Sequence, residues 1–481
     1  MPEKFLKKQF NPKSIALAVV LVGVLMAAID ATIVILAMPT IDFHLNTSYL
    51  NSIWIILGYI LVLAVLSSQV GRIGDRYGRA KLYKYGLIIF TIGSGLCGFA
   101  PNINFLIGSR ILQALGGVLI GTLSSAVIAD HFEPHERGRA FGYTAIGWNF
   151  GAILGIFLGG FLTTINWRLI FFINIPIGII LILFAIFKLH DVVKLKKEPI
   201  DFVGSIILGI GLVILTLSAV FSMFEGITYH EILLFLVSLI FFILFILWEK
   251  RTKFPIIDFI LFKQKIFSFS ILASMLQAIA SFAVLFILIL YLQGVRGLNP
   301  FVSSMYLLPG YFLGAFVAPA MGRLSDKIGA RIPATLGLIS IVIGYLAYSL
   351  FLGYSTPLYY VAIITILTGM GSAMFYPANN SAIMANAPKD HYAMASGLNR
   401  MLGNVGMVIS FVLALTVIAG SISRSTAFAI FSGNTISLSI TQSINFIKGM
   451  DSAFFASIIV LILAIVLSYI RGKEDRKNIK N

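Results

Sequence analysis

Long apolar runs, each about twenty residues and separated by short polar turns, dominate the pattern of this chain. A bilayer core of about 30 Å takes roughly twenty residues of helix, and fourteen such runs can be placed. The first six cover residues 14–36, 51–70, 82–100, 104–129, 139–163 and 169–187. Two follow at 202–223 and 231–248, and the last six lie at 267–291, 301–321, 332–352, 357–377, 393–419 and 452–470. Runs that are apolar all round leave no face for water, so they predict an all-α integral membrane protein. Polar stretches at 188–201 and 249–265 set the middle pair apart. Three units are expected: a six-helix bundle over 1–190, a two-helix insert with its linkers over 191–265, and a second six-helix bundle over 266–481. The Ser/Thr-rich stretch 420–451 is expected to be an outer connector.

Composition agrees with this pattern, since 59% of the 481 residues are hydrophobic and 11% are charged. The charge adds orientation. With the N-terminus inside, thirty of the 35 Lys and Arg fall on the inner side, Arg400 counted among them, as cationic loops are retained there. Both termini are therefore expected in the cytoplasm of a multi-pass plasma-membrane protein. The net charge of +16 reflects loops facing anionic lipid, so no nucleic-acid partner is expected. The first run is long enough to span and has no cleavage pattern behind it, so it is expected to stay as helix 1. Cys97 is the single cysteine, which excludes an intramolecular disulfide.

One basic, glycine-rich turn occurs twice. Gly71-Arg72-Ile73-Gly74-Asp75-Arg76-Tyr77-Gly78-Arg79 follows the second run, and Gly322-Arg323-Leu324-Ser325-Asp326-Lys327-Ile328-Gly329 follows the second run of the later six. Two parallel halves with one internal plan result. The turn resembles the G-x-x-x-D-R-x-G-R-[RK] signature of the major facilitator superfamily. Asp30-Ala31-Thr32-Ile33-Val34 with Ala37-Met38-Pro39 resembles the helix 1 motif of its fourteen-span drug:proton antiporters, with Ile35 in place of an Asn. Trp167-Arg168, Phe171, Ile173-Asn174 and Pro176-Ile177-Gly178 resemble a second motif of that group. Tyr291-Leu292-Gln293-Gly294 with Pro309-Gly310, and Ala395-Ser396-Gly397-Leu398-Asn399, resemble two more. The resemblance implies the major facilitator fold, two six-helix bundles plus two linker helices.

Gly147, Gly151, Gly155 and Gly159 recur every fourth residue of the fifth run, which puts them on one face where another helix can approach closely. They resemble the antiporter signature of the superfamily, with Ala152 and Ile156 where that signature has prolines. That departure leaves export against import open.

Asp30 is the clearest ionisable residue inside a run, where a carboxylate costs about 2.5 to 3.5 kcal/mol on insertion scales. At about 1.5 Å per residue, Asp30 and Arg110 sit at similar depths in the outer half. They form either a proton-coupling pair or a static brace between helices 1 and 4. Gln113 shares the Arg110 face, and Tyr59, Asn149, Gln277 and Asn404 lie between the outer half and the midplane. These six are candidates for a substrate cavity, or for helix packing. By the offset between the repeated turns, the position matching Asp30 in the second half is Ser281. The resemblance makes Gly71, Asp75, Arg76, Gly78, Arg79, Asp130, Gly322, Asp326 and Gly329 a conformational gate. In it Arg79 pairs with Asp130, and Asp75 sits near the helix start around Ala393. His131, Glu133, His135 and Glu136 read as a solvated turn, since Pro134 interrupts them.

No catalytic residues, metal site or cofactor are expected, because no nucleophile–base pair, phosphate loop or ligand cluster emerges. The resemblance implies a monomeric secondary transporter that couples protons to export of hydrophobic, cationic, drug-like compounds by alternating access. A transporter of a metabolite, lipid or anion is the alternative, and a membrane sensor that keeps the fold without transporting is another.

Overall fold

A computed structural model of the chain describes residues 12–191, 201–225, 228–252, 255–257, 261–386, 392–421 and 439–472. Among them the regular structure is helical throughout. The first half runs α1 (Pro12–Leu45), α2 (Tyr49–Tyr77), α3 (Arg79–Gly98), α4 (Ile103–His131), α5 (Pro134–Ile165), α6 (Leu169–Phe172) and α7 (Asn174–Lys188). The insert is α8 (Phe202–Glu225) and α9 (Tyr229–Arg251). The second half runs α10 (Lys265–Ile289), α11 (Pro300–Ile328), α12 (Arg331–Phe351), α13 (Tyr359–Ala385), α14 (Tyr392–Ser421) and α15 (Ile440–Ile470).

Thirteen helices among the described residues are long and apolar enough to cross a membrane, with α6 and α7 forming one of them. The remaining long helix, α3, has 20 residues. Arg79, Lys81 and Lys84 at its start and several glycines dilute its apolar character. It nevertheless packs along α4 and α7 in the place of the third predicted run.

Each half packs chiefly on itself, and the halves meet along two seams, α5 against α11 and α2 against α14. Helix α9 lies on α8, and α8 rests on α2 of one half and α14 of the other. The insert thus covers one seam from outside.

Several element ends differ from the sequence reading: α1 runs on to Leu45, and α2 and α11 run through most of the repeated turn to Tyr77 and Ile328, while two further differences have a local cause. The twelfth run was expected to stop at Pro377, yet α13 carries that proline inside the helix and continues to Ala385, as membrane helices tolerate when neighbours satisfy the freed backbone groups. The last helix starts at Ile440, not 452, so the second part of the expected connector is helical. Ser439 caps it: its Oγ accepts from Gln442 N at 3.3 Å and its N–H donates to Gln442 Oε1 at 3.0 Å, a capping box at a Ser-x-x-Gln sequence. Lys448 and Asp451 interrupt the apolar run and hide the helix from a hydropathy reading. Residues 422–438 of that connector lie outside those described.

The second glycine of each repeated turn has a backbone reason. Gly78 and Gly329 adopt φ of +103° and +91°, a region that residues with a Cβ enter only with strain. Gly78 lets α2 stop and α3 begin within a single residue, and Gly329 with Ala330 joins α11 to α12 in two.

Candidate functional site

Five helices of the first half, α1, α2, α3, α4 and α7, deliver side chains to one buried polar network. Asp30, in the middle of α1, is 0% exposed and Arg110 of α4 is 2% exposed. Arg110 Nη1 donates to Asp30 Oδ2 at 2.7 Å and to Gln113 Oε1 at 2.7 Å. Gln113 Nε2 returns to Asp30 Oδ1 at 2.9 Å. Arg110 Nε reaches Ile55 O of α2 at 3.3 Å, and its guanidinium lies 4.3 Å from the centre of the Tyr59 ring. The charge on each side is therefore met by an opposite charge, neutral donors and an aromatic face.

Asn174 completes the network and was quoted in the sequence only as part of a motif. Its Nδ2 donates to Asp30 Oδ1 at 3.3 Å and to Ser94 Oγ at 3.1 Å, while Ser94 Oγ donates to Phe171 O at 2.8 Å. The break between α6 and α7 falls at Ile173, and Asn174 opens the second piece, so the interruption aims its amide into the core. Arg168 of the same motif donates from Nη1 to Gly98 O and Ala100 O at 2.9 and 2.7 Å. It caps the C-terminal carbonyls of α3.

Helix α1 is held close to α5 by the glycine face. A Cβ on Gly147 would come 2.6 Å from Leu21 Cδ1, one on Gly151 2.7 Å from Leu25 O, one on Gly155 2.7 Å from Ile29 O, and one on Gly159 3.1 Å from Ile33 O. The four contacts track α1 past Asp30, so the periodicity fixes the helix that carries the acid.

The structure scatters the remaining cavity candidates. Gln277 is 1% exposed on α10 and Asn404 is 7% exposed on α14, and Asn149 is half-buried on α5. Asn404 Nδ2 donates to Ser67 Oγ of α2 at 3.0 Å, so it ties the two halves at mid-depth. Tyr59 stacks on Arg110 within the network. Five of the six candidates, Asn149 excepted, are thus buried packing or network residues in this conformation. Ser281 stands near Tyr345, in a second-half cluster with Tyr311 and Tyr376, and carries no charge.

At the first repeated turn Arg79 Nε meets Asp75 Oδ1 at 2.6 Å and Arg79 Nη1 meets Asp130 Oδ1 at 2.5 Å. Asp75, Arg79 and Asp130 belong to α2, α3 and α4, so this brace closes within one half. Asp191, placed by the sequence reading in the linker, accepts from Ala80 N at 2.7 Å and Lys81 N at 3.2 Å and caps α3. Arg76 lies exposed beside its neighbour Tyr77. A Cβ on Gly71 would meet nothing within 4 Å, and one on Gly322 only Pro377 Cβ at 3.8 Å. The side chains of Asp326 and Ala393 lie outside those described. In the second half Arg471 Nη1 donates to Asn379 Oδ1 at 2.9 Å and Ser270 Oγ at 3.1 Å, bracing α10, α13 and the end of α15. The Glu133–Glu136 turn, expected to be solvated, holds Lys13 at 3.3 and 2.6 Å and so ties α5 to α1. No group of three or more metal-ligating side chains occurs among the described residues.

Described contacts between the halves include several at the end of the helices opposite the repeated turns. Gln293 Nε2 donates to Leu36 O at 3.2 Å. Phe301 lies edge-on to Phe157 and Phe161, with ring centres 6.1 and 6.2 Å apart.

Comparison with known proteins matches residues 20–411 to the model of the Major Facilitator Superfamily. The riboflavin transporter RibZ of Clostridioides difficile is 31% identical over 92% of this chain and 97% of its own length. Multidrug resistance protein 3 of Bacillus subtilis is 29% identical over 85% of this chain and 80% of its own length. Among solved structures, a bacterial homologue of the human lysosomal transporter Spinster, inward-facing and unoccupied, superposes with a TM-score of 0.67 at 17% identity, covering 96% of this chain and 97% of that one. A POT family transporter in complex with a thioalcohol-conjugated peptide gives 0.69 at 16% identity, over 95% and 96%. With helices all along its length, two halves joined by a repeated turn and a family match over most of its residues, the chain belongs to the Major Facilitator Superfamily and is a multi-span membrane transporter, not an enzyme.

Proposed function

We propose that this transporter couples the proton gradient to export of hydrophobic, drug-sized compounds, and that Asp30 is the carboxylate that takes and releases the proton. The observation that carries the reading is the buried network of Asp30 with Arg110, Gln113 and Asn174. An acid met by a mobile cation can hold either of two charge states. When Arg110 is in place, its guanidinium offsets a negative charge on Asp30. When substrate binding or helix motion draws Arg110 away, an uncompensated carboxylate in a low dielectric is costly, and a proton neutralises it. Gln113 and Asn174 can hydrogen-bond either form and keep α1 in register through the change.

The same reading takes α3 as a span, giving fourteen with both termini in the cytoplasm of a cell-membrane protein that works as a monomer. It takes the outer contacts of Gln293 and Phe301 as the closed side of an inward-facing state. The gate residues of the repeated turn act as braces that let each half move as a body. Relatives named for multidrug resistance and for riboflavin transport support two substrate classes, drug-like compounds and a planar metabolite.

Uptake into inverted vesicles driven by a proton gradient tests the coupling. Asp30→Asn keeps shape and hydrogen bonding but cannot titrate, so gradient-driven uptake is expected to vanish while binding to the purified protein persists. Asp30→Glu is expected to retain part of the uptake. Full gradient-driven uptake by Asp30→Asn would return Asp30 to a structural role.

A further inference from the structure

Arg400 was counted with the inner loops in the sequence, but the structure puts it inside the apolar span of α14. Eight residues separate it from Tyr392, about 12 Å of helix. Its side chain crosses the seam between the halves: a Cβ on Gly121 of α4 would lie 3.2 Å from Arg400 Nη1. Gly121 is ten residues, about 15 Å, from the inner end of α4. Both helices therefore put the guanidinium deep inside and between the two halves.

The residue is exposed, and it makes no hydrogen bond, ion pair or ring contact with another residue. Arg110, the other arginine inside an apolar helix, is buried and held by Asp30, Gln113, Ile55 O and the Tyr59 ring. The inner-side acids are spent elsewhere. Asp130, nine residues further along α4 and about 13 Å away, is held with Asp75 by Arg79, and Asp30 is held by Arg110. An intramembrane cation without a counter-charge is by default a functional group awaiting a partner.

The wall beside it is neutral and aromatic. Asn399 Nδ2 donates to Asn380 Oδ1 of α13 at 3.1 Å. One turn along α13 on the same face, Tyr376 is 41% exposed with its hydroxyl towards Gln277. Asn404, one turn beyond Arg400, closes the seam on Ser67. The open surface between the halves thus offers one cation, amides and a phenol ring, and the neighbouring acids are sequestered.

Resting on the transporter reading above, we propose that Arg400 is the docking point for an organic anion, and that the substrate is an aromatic compound carrying a carboxylate, a phosphate or a comparably strong acceptor group. The guanidinium gives the anion a forked pair of donors, and Tyr376 with its neighbours gives the ring an apolar, hydrogen-bonding wall. A hydrophobic cation would instead meet Arg400 unfavourably, because no described carboxylate is free at that depth to offset it.

Two probes with one aromatic body separate charge from hydrophobicity: 1-pyrenebutyrate and 1-pyrenebutyl-trimethylammonium. Their binding to the full-length protein in phosphatidylcholine nanodiscs is read by fluorescence titration. Wild type is expected to prefer the carboxylate by about tenfold or more, the loss that one charge-assisted hydrogen bond represents. Arg400→Gln is expected to abolish that preference and Arg400→Lys to keep part of it, both eluting as the wild-type monodisperse species. Preference for the ammonium, absence of saturable carboxylate binding, or a preference that survives Arg400→Gln would each overturn the proposal. Phosphatidylglycerol in the nanodisc distinguishes the other source of an anion: displacement of the carboxylate by this lipid, dependent on Arg400, would assign the site to a lipid headgroup and overturn the substrate assignment. The transport reading fails separately. Arg400-dependent binding without gradient-driven flux in wild-type vesicles would remove transport and leave the anion site standing.

Discussion

Asp30 and Arg110 are worth more as a pair than the sum of what either does alone. Removing one partner of a buried ion pair strands the other, at a cost of about 3 to 5 kcal/mol. Arg110→Met is therefore expected to lower the midpoint of thermal unfolding in detergent sharply, because Asp30 at 0% exposure has no water to turn to. Asp30→Asn with Arg110→Gln is expected to recover much of the loss, since the double variant keeps neutral hydrogen-bonding groups on both sides. A double variant no more stable than Arg110→Met would mean that the arginine acts mainly by packing on Tyr59. The depth of both residues was legible from residue counts along their helices. The roles of Gln113 and Asn174 as donors to Asp30 Oδ1 needed the fold, because α1, α4 and α7 are far apart in sequence.

At the scale of elements, the glycine face of α5 makes a graded prediction. A Cβ on Gly151 would come 2.7 Å from Leu25 O and 2.7 Å from Ala28 Cβ, whereas one on Gly142 would meet nothing within 4 Å. Gly151→Leu is expected to force α5 off α1 and reduce the yield of monodisperse protein severely, while Gly142→Ala leaves it near wild type. Equal yields of the two variants would show that the face does not set the helix distance. Four-residue spacing was enough to expect a close approach. The identity of the partner helix, and that the contact runs past Asp30, came from the packing. The late start predicted for α15 shows the converse: a hydropathy window sees composition, whereas a capping box and two polar residues on one face leave a helix intact.

For the whole molecule, the insert is the element with no counterpart in the repeat. Helix α8 touches α2 and α14, and Gln69 Nε2 of α2 donates to Asp201 O just before α8 at 2.9 Å. Leu212 on α8 is fully buried. Leu212→Ser is expected to lower the thermal midpoint and leave the order of preference among transported compounds unchanged, because α8 covers the seam without lining it. A changed preference in vesicle uptake would place the insert in the substrate pathway. The parallel repeat also explains an asymmetry. The first half concentrates its charge around Asp30, and the second half has Ser281 and tyrosines at the matching place.

By itself the sequence determined the class of the protein, its helical runs, its two-fold internal plan and the acid worth testing. These are set by solvation and local backbone chemistry: a bilayer requires long apolar helices, and a turn with positive φ requires Gly78 and Gly329. Only the tertiary structure decided which polar groups are satisfied. Arg110 and Arg400 are both arginines inside apolar helices, and nothing local separates them. Arg110 faces α1, α2 and α6 of its own half and is paired with Asp30, whereas Arg400 faces across the seam toward a glycine. That difference depends on helix rotation and on which helices adjoin, which are fixed by packing between residues distant in the chain.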